Sequence, residues 1–459
     1  MRWNFEPHHA RPGFCVGGIL LCLLSLRCFA QAVPPQGAAA AQPVTPPVIT
    51  LDEAIRRAQA NEPNFATAQA EAKATALDRS IARAALLPNA VYLNQFLYTQ
   101  GIGTAGTTPS GGVPTPVRFI ANNAVHEYVS QAAVTETIGL RGIADVRLAN
   151  ATAARAAAEY EIARRGLVAT VVGFYYNLTA SEHKVAVAER AMNEAAGFTD
   201  LTTKRENARE VAHADVVKAQ LQQQQREREL ADARLAAERA RLELGVLLFP
   251  DPRTSYATES TPLPAMPSRA DVEALATAHN PDLRSALEAV RISDAEVLGA
   301  RAAYLPDLVL NFNYGIDAAQ FATKGPDGAN NLGYSASATL DIPVWDWLAT
   351  PHRVKQTEIR RNAVRVALTA TQRHLIAALD EAYAEAAEAQ RQSASLMLSA
   401  QTAAESLRLT KLRYTAGEAT VLEVVDAQAA LTAAENARED GVVRYETGLA
   451  NLQTLTGTL

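Results

Sequence analysis

The hydrophobic pattern of the chain changes in the same way at two places. From Arg83, RAALLPNAVYLNQFLY begins as an Ala- and Leu-rich helical pattern, stops at Pro88 and continues as an alternating strand pattern. From Arg301, 218 positions later, RAAYLPDLVLNFNYGI repeats this change. Proline lacks a backbone N–H and clashes with the preceding turn, so both helices are predicted to end at these prolines. The same helix-to-strand junction therefore occurs twice.

Four segments have the alternation of apolar and polar residues that predicts β-strands. LVLNFNYG and GYSASATLDI show it most clearly, and YVSQAAVTETI is less regular. The predicted strands are residues 89–98, 128–138, 307–316 and 333–342, which pair as two hairpins. This pattern fits a half-buried sheet in a water-soluble protein, and it also fits the apolar-out, polar-in wall of an outer-membrane barrel.

Two observations favour the barrel. Four strands cannot close one, since the smallest single-chain barrels need about eight, and three copies of the chain would supply twelve. In addition, Trp345 and Trp347 lie where the last strand gives way to a helix, and Trp and Tyr favour the membrane–water interface. The tyrosines placed at or near strand ends are Tyr92, Tyr98, Tyr314 and Tyr334. The alternative for the two tryptophans is local packing.

Long helical patterns separate the hairpins. Helices are predicted near residues 52–87, 142–206 and 213–247, and again near 270–305, 352–414 and 418–455. Each middle helix, with roughly 65 residues, would be about 95 Å long at 1.5 Å per residue. The two shorter helices of each half, placed end to end, match that length. Two short helices beside one long helix give a wall of uniform height, which is the geometry of a tube.

The two halves keep the same order of elements, so we interpret the chain as a duplication. Residues 51–249 form the first predicted repeat and residues 269–459 the second. Between them, five prolines from Pro250 to Pro267 mark a linker over residues 250–268. The predicted fold is mainly α with a small β part, built from a duplicated helix–strand–strand–long helix–helix unit.

The N-terminus has the pattern of an export signal. The apolar run FCVGGILLCLLSL precedes the small-x-small sequence Ala30-Gln31-Ala32, so residues 1–32 are predicted to be a cleaved signal peptide. Residues 33–50 follow as a Pro/Ala-rich leader. Cys28 is not expected to carry a lipid, because Arg27 stands where a lipoprotein signal has a small residue. All three cysteines lie in the signal, so no thiol chemistry is expected of the mature chain.

Composition and spacing argue against several classes of function. The formal net charge of −6 offers no basic surface to nucleic acid. No Gly-rich phosphate loop is present, and the histidines beyond the signal are not spaced as metal ligands, so neither cofactor nor metal is expected. Nothing in the sequence places Ser, His and Asp together, and an enzyme is not expected. No later segment is apolar and long enough for a membrane helix, so membrane insertion would have to use strands.

The segment Tyr414–Leu431, YTAGEATVLEVVDAQAAL, resembles the helix–turn–helix tip of the TolC-like outer membrane efflux proteins, the outer membrane factors. The resemblance covers the mature chain from about Leu51 to Leu459. It implies a homotrimer whose four strands per protomer form a twelve-stranded outer-membrane β-barrel, continuous with a long periplasmic α-helical barrel. It implies a passive exit duct for a tripartite efflux or type I secretion system.

The resemblance also implies partners and a location. A periplasmic adaptor, or membrane fusion protein, would open the helical tip, and an inner-membrane pump such as an RND, ABC or MFS transporter would drive export. The protein would lie in the outer membrane of a Gram-negative-type bacterium, in contact with its lipid and with a large periplasmic part. Drug, metal and protein export all stay open, as do the particular adaptor and pump.

Residues at the tip follow from the resemblance position by position. Glu423 and Asp426 match two acidic positions that face the lumen, and their i, i+3 spacing puts both on one helix face. Three copies would gather six carboxylates into a ring at the gate. Tyr414 and Asp215 match members of the network that holds the tip shut, and Gly417 matches the glycine of the turn. The alternative for Glu423 and Asp426 is an ordinary solvated helix face.

Two positions depart from the family pattern. Ala419 occupies the position of the network's arginine, and Arg209 replaces the glycine of the first-half turn. Either the closing contacts differ, with Arg205 or Arg209 involved, or the resting tip is sealed less tightly.

A different class of function stays open beside the duct. A non-conducting periplasmic coiled-coil scaffold linking envelope layers would explain the long helices, although it does not explain the strand patterns NFNYGI and GYSASATLDI. An ordinary diffusion porin is excluded, because it would need more strands and fewer helices.

Overall fold

The computed structural model of the protein describes residues 47–98, 126–259 and 265–458, and all of these belong to one unit, Pro47–Leu459. The predicted signal peptide, most of the predicted leader and residues 260–264 of the predicted linker lie outside the described residues.

Helices dominate the described residues. They are α1 (Leu51–Asn61), α2 (Pro63–Ala84), α3 (Leu140–Asn207), α4 (His213–Leu248), α5 (Arg269–His279), α6 (Pro281–Ala302), α7 (Ala349–Thr415) and α8 (Val421–Thr456). The strands are β1 (Val48–Ile49), β2 (Asn89–Tyr98), β3 (His126–Ile138), β4 (Ala257–Thr258), β5 (Asp307–Ala318) and β6 (Leu332–Asp341). The prediction of a mainly helical fold with a small sheet part is confirmed.

The two long middle helices are confirmed. α3 has 68 residues and α7 has 67, so each is about 100 Å long at 1.5 Å per residue. Along its first half α3 packs against α2 and α6, and along its second half it packs against α4 and α8. Shorter helices therefore lie beside each long one, as the lengths predict.

The prediction of single helices over 52–87 and 270–305 is wrong, because each segment contains two helices. α2 begins at Pro63 and α6 begins at Pro281. Proline suits the first position of a helix, where its missing N–H has no partner to lose. Asn280 caps α6 by accepting a hydrogen bond from the Leu283 N–H at 2.8 Å, and its amide donates to the Leu455 carbonyl at 3.2 Å.

The largest apolar core surrounds the middle of α3. Tyr175 and Leu178 of α3 are fully buried there against Ala54 of α1 and Leu244 of α4. The Tyr175 hydroxyl donates to the Ile49 carbonyl at 3.0 Å, and β1 pairs in parallel with β4. The backbone on both sides of the first predicted repeat, residues 51–249, is thereby tied to this core.

The larger sheet is antiparallel, with the order β2-β3-β5-β6. All ten residues of β6 and nine of the ten in β2 are exposed. Both outer strands lack a partner on one side within the described ranges. The four strands consequently cover no core of their own.

Register sorts the side chains of this sheet into two faces. Tyr92, Ala132, Tyr314 and Tyr334 are directly opposite one another in a row across the four strands. Alternate positions along β5 and β6 put Leu, Phe, Tyr and Ala side chains on the face of this row. The opposite face of the same two strands carries mostly Asp, Asn, Ser and Thr. Along β5 and β6 each face therefore has its own chemistry, although both faces are exposed.

Among the helices in the described ranges, none combines the length and the apolar character needed to cross a membrane.

Candidate functional site

The candidate site is the pair of turns at the end of the helices farthest from the sheet, which we call the tip. One turn connects α3 to α4 over residues 208–212, and the other connects α7 to α8 over residues 416–420. A separate small core joins them, made of Phe198, Ala219, Leu407, Tyr414, Val421 and Val424. The tip is therefore a packed unit containing residues from both repeats.

The two turns have the same backbone structure. The Glu210 N–H donates to the Arg205 carbonyl, and the Glu418 N–H donates to the Arg413 carbonyl, each at 2.8 Å. One residue of each turn has a positive φ, 62° at Arg209 and 81° at Gly417. Glycine adopts this left-handed conformation without strain, whereas an arginine carries a steric cost. Arg209 thus holds the backbone position that glycine holds in the second turn.

Tyr414 lies at the centre of the tip with only 3% of its surface exposed. Its ring centroid is 5.1 Å from that of Phe198, and its hydroxyl is 3.4 Å from the Thr202 hydroxyl. Both partners belong to α3, whereas Tyr414 belongs to α7. Tyr414 therefore joins the helical hairpin of α3 and α4 to the helical hairpin of α7 and α8.

Arg205 reinforces this junction from α3. Its Nη1 donates to the Tyr414 carbonyl at 2.6 Å, and its guanidinium carbon lies 4.8 Å from the centroid of the Tyr414 ring. Its Nε donates to the Glu210 carboxylate at 2.9 Å. A cation is favourable here, because the carbonyls at a helix C-terminus carry partial negative charge. The Arg209 side chain makes no hydrogen bond or ion pair in the part of the chain that the structure describes.

Glu423 has a local structural role at the start of α8. Its carboxylate accepts from the Thr420 N–H at 3.1 Å, while its own N–H donates to the Thr420 hydroxyl at 3.3 Å, forming a capping box. Arg413 lies 3.4 Å away. Hydrogen bonds from the Thr420 backbone and hydroxyl, followed by the Arg413 charge, lower the pKa of Glu423.

The remaining acidic residues of the tip are differently placed. Asp426 is exposed one turn farther along α8, and Asp215 is half-buried in the first turn of α4. Neither side chain forms a hydrogen bond or ion pair with any residue in the described ranges. Ala419 packs against the apolar core of the tip instead of supplying a charge.

Three contributors to the tip were not identified from the sequence, namely Arg413, Thr202 and Thr420. Two signals could have revealed Arg413 and Thr420, and the sequence gives none for Thr202. The spacing of 208 residues that aligns the two tips matches Arg205 with Arg413, and Thr420 followed by Glu423 has the spacing of a capping box.

The predicted interface tryptophans are exposed. Trp345 is 69% and Trp347 85% exposed, and their rings meet edge to face at 5.9 Å. Trp347 and Leu348 both have positive φ, and Asp346 accepts from the Thr350 N–H at 2.7 Å to begin α7. This strained turn projects both indoles away from the helices.

The predicted interface tyrosines fall into two groups. Tyr92, Tyr314 and Tyr334 share one row of the sheet, and each is more than half exposed. Tyr98 lies at the far end of β2, where its ring is 5.3 Å from that of His126. Across the described ranges, no group of three or more His, Cys, Asp or Glu residues is arranged to hold a metal ion.

The described fold combines long paired helices with an open sheet whose two faces are both exposed. The family model for outer membrane efflux proteins matches residues 54–248 and 273–458, and the chain belongs to this family. It is a family of channels and not of enzymes. The resemblance to TolC-like proteins is therefore confirmed.

The sequence identity to individual relatives is low. The chain is 26% identical over 172 residues to the outer membrane protein OprJ of Pseudomonas aeruginosa, a match covering 38% of this chain and 36% of OprJ. It is 27% identical over 348 residues to the protein CyaE of Bordetella pertussis, covering 72% of this chain and 68% of CyaE.

Solved structures share the fold. The Campylobacter jejuni CmeC outer membrane channel superimposes with a TM-score of 0.74 and 17% identity, over 89% of this chain and 85% of CmeC. The outer membrane protein VceC from Vibrio cholerae has a TM-score of 0.74 and 18% identity, over 89% of this chain and 96% of VceC.

Proposed function

We propose that three copies of this chain form an outer-membrane duct that gives a passive exit to a tripartite efflux or type I secretion system. The observation that carries the proposal is the open sheet, whose outer strands β2 and β6 each have one edge unpaired within the described ranges and whose two faces are both exposed. Unpaired, apolar strand edges promote aggregation unless another chain covers them. Joining β6 of one copy to β2 of the next would remove every edge and give twelve strands.

The two faces of the sheet suit such a barrel. The face that carries Phe312, Tyr334 and Leu340 would contact lipid, and the face that carries Asn311 and Ser337 would line the duct. From Asp307 to Tyr314 the strand rises by about 24 Å, close to the height of about 25 Å that an apolar band needs. Trp345 and Trp347 would lie at the lower border and the tyrosine row at the upper border.

The helices would form the periplasmic part of the duct. Predicted signal residues 1–32 would direct export, and the repeats 51–249 and 269–459, joined through the linker 250–268, would each supply one hairpin and one wall of helices. At the tip, Arg205 and Tyr414 would hold the two helical hairpins together in the closed state. A periplasmic adaptor would open the tip by separating these hairpins, and an inner-membrane pump of the RND, ABC or MFS class would supply the energy.

Threefold symmetry would bring Glu423 and Asp426 of each copy towards a common axis. Six carboxylates in a narrow ring would attract cations and repel anions. In this arrangement Asp426, whose side chain has no partner among the described residues of its own chain, would contribute the more freely available charge.

The proposal is tested by single-channel recording in planar bilayers. Glu423→Gln/Asp426→Asn removes both charges and keeps a glutamine able to serve in the capping box. Glu435→Gln/Asp440→Asn is the matched control, since it removes the same two kinds of group from α8, each more than three turns beyond its counterpart at the tip. We expect discrete cation-preferring steps, a loss of cation preference in the tip variant and little change in the control.

Two other outcomes have distinct meanings. Steps whose selectivity is the same in all three proteins would keep the duct and place its narrowest ring elsewhere. The absence of steps from protein that is demonstrably inserted would favour a tightly closed tip or the scaffold, and the residue-level proposals for Glu423 and Asp426 would be abandoned.

A further inference from the structure

Two helical hairpins meet along one line in this structure. α3 with α4 forms the first hairpin, α7 with α8 forms the second, and α3 runs antiparallel to α8 where they touch. We call this contact the α3–α8 seam. Polar pairs cross it in order, from Arg190 with Glu435, through His183 with Glu439, to Tyr176 with Glu446.

Glu446 is the most isolated acid of the seam. Only 4% of its surface is exposed, and its Oε1 has no hydrogen-bond partner. The Tyr176 hydroxyl, on a side chain that is 6% exposed, supplies its hydrogen bond. A buried carboxylate with one unpaired oxygen is costly while it is charged, because water no longer solvates it.

Glu439 is a control within the same seam. It lies two turns nearer the tip on α8 and is 5% exposed, so the two acids are equally buried. Although burial raises the pKa of Glu439, hydrogen bonds from Arg438 and His183 bring it below its usual range. Burial likewise raises the pKa of Glu446, which reaches about 7, because the Tyr176 hydrogen bond opposes the shift only weakly.

Among the residues that the structure describes, no cation compensates Glu446. The titratable groups near it are Tyr175 and Tyr176 of α3 and its neighbour Tyr445 on α8. On the other side of α8, Gly448 lies against the backbone of Ala386 in α7. No Lys, Arg or His in the described ranges forms an ion pair with Glu446. The same burial, together with the Glu446 charge, raises the pKa of Tyr176 to about 12.

We propose that Glu446 is a proton-binding site that sets how tightly the α3–α8 seam packs. With the proton bound, the carboxyl is neutral and the two hairpins stay in contact. When the proton leaves, the buried charge needs water, and the contact between α3 and α8 loosens. Protonation of one side chain would thereby tighten the junction between the hairpins.

The direction of the pH effect follows from linkage. The folded-state pKa of Glu446 lies above the ordinary value of 4.5, so the folded protein binds the proton more strongly than the unfolded chain. This contribution to stability is complete below about pH 4.5 and is lost as the pH rises through about 7. An effect on opening of the tip would rest on the proposed function, whereas proton binding itself does not.

The test is thermal unfolding of the purified full-length protein between pH 5 and pH 9. Glu446→Gln is the isosteric, permanently neutral variant. We expect its Tm to exceed that of the wild type by a few degrees at pH 8.5 and by only about a quarter of that difference at pH 5, with the difference half-developed midway between about pH 4.5 and about pH 7. Glu435→Gln, which removes an ion-paired acid of the same seam, should differ from the wild type by a constant amount between pH 6 and pH 9.

A second variant separates proton binding from simple packing. Tyr176→Phe removes the hydrogen bond that favours the carboxylate, so the midpoint of the pH-dependent loss of stability should move to higher pH. A purely structural role for Tyr176 would lower the Tm equally at every pH. The proposal is overturned if the gap between Glu446→Gln and the wild type is independent of pH, or if the variant is the less stable protein at pH 8.5. Neither result would affect the conductance test of the duct.

Discussion

At the scale of single residues, Arg205 accounts for how this tip can be held together although Ala419 stands where the family pattern has an arginine. The cation comes from α3 and binds the carbonyl and ring of Tyr414. Its counterpart Arg413, 208 positions later, donates to the Glu418 carbonyl at 3.1 Å within its own turn. Of these two arginines, Arg205 therefore connects the hairpins and Arg413 does not.

This difference predicts unequal effects of two equivalent substitutions. Arg205→Gln should raise the open probability of the channel about tenfold or more, because a hydrogen bond from a charged group contributes roughly 1.5–3 kcal/mol. Arg413→Gln should change it little. Single-channel recordings of the two variants at one voltage measure the effect, and equal open probabilities would show that Arg205 does not hold the tip closed.

The sequence could identify the tip more easily than its contacts. Tyr414 and Gly417 stand out by their spacing. The replacement of the family's arginine by Ala419 is visible in the same segment. Arg205 and Arg209 could not be told apart, because both lie within a few residues of the turn. The structure separates them, since Arg205 donates to the Tyr414 carbonyl, whereas Arg209 takes the left-handed position of the turn and its side chain makes no hydrogen bond within the described ranges.

At the scale of elements, the two turns of the tip are the same structure built from different residues. In both, a hydrogen bond closes the end of the long helix and one residue takes the left-handed conformation. A Cβ atom added at Gly417 would meet no atom within 4 Å, so only the backbone conformation opposes a larger residue there. Arg209 carries the steric cost of this left-handed conformation in the native protein.

The stability cost of the left-handed residue can therefore be measured by substituting that residue in each turn. Arg209→Gly should raise the free energy of unfolding by up to about 1 kcal/mol, and Gly417→Ala should lower it by about the same amount, because the left-handed conformation costs an L-residue about 1–2 kcal/mol. Thermal unfolding of both variants checks this. A loss of stability in Arg209→Gly would mean that the arginine side chain has a partner outside its own chain.

Element lengths were predictable, and the breaks within elements were not. The 3.6-residue pattern runs through Asn61 and Pro63 without a gap, so the pattern predicts one continuous helix over residues 52–87. Proline ends a helix when it is internal and starts one when it is first, and the pattern alone does not separate these cases. What decides at Pro281 is the buried cap Asn280, whose amide reaches the Leu455 carbonyl of α8. Such a contact across 175 positions has no local signal.

At the scale of the whole molecule, the proposed duct depends on the four-stranded sheet, whose outer strands β2 and β6 each have an unpaired edge within the described ranges. The alternation along β5 and β6 predicted two-faced strands, and the register shows an apolar face and a polar face. The seam between α3 and α8 had no comparable signal, because both helices are rich in Ala and their ion pairs lie more than 240 residues apart. Sequence therefore indicated the long helices, while the line along which the helical hairpins meet required the structure.

Closure of the sheet by neighbouring copies is the central claim, and disulfide cross-linking tests it most directly. Residues 33–459 contain no cysteine, so introduced pairs report cleanly in the mature protein. Leu93→Cys on β2 would be combined in turn with a cysteine at Ser335, Ser337 or Thr339 of β6, on the same face of the sheet. Asn313→Cys/Ser335→Cys, which joins directly opposite residues within one chain, is the positive control.

After oxidation, at least one of the three β2–β6 pairs should give covalent dimers and trimers on a denaturing gel, with no larger species. Oxidation of the control pair accompanied only by monomers from all three β2–β6 pairs would contradict the account.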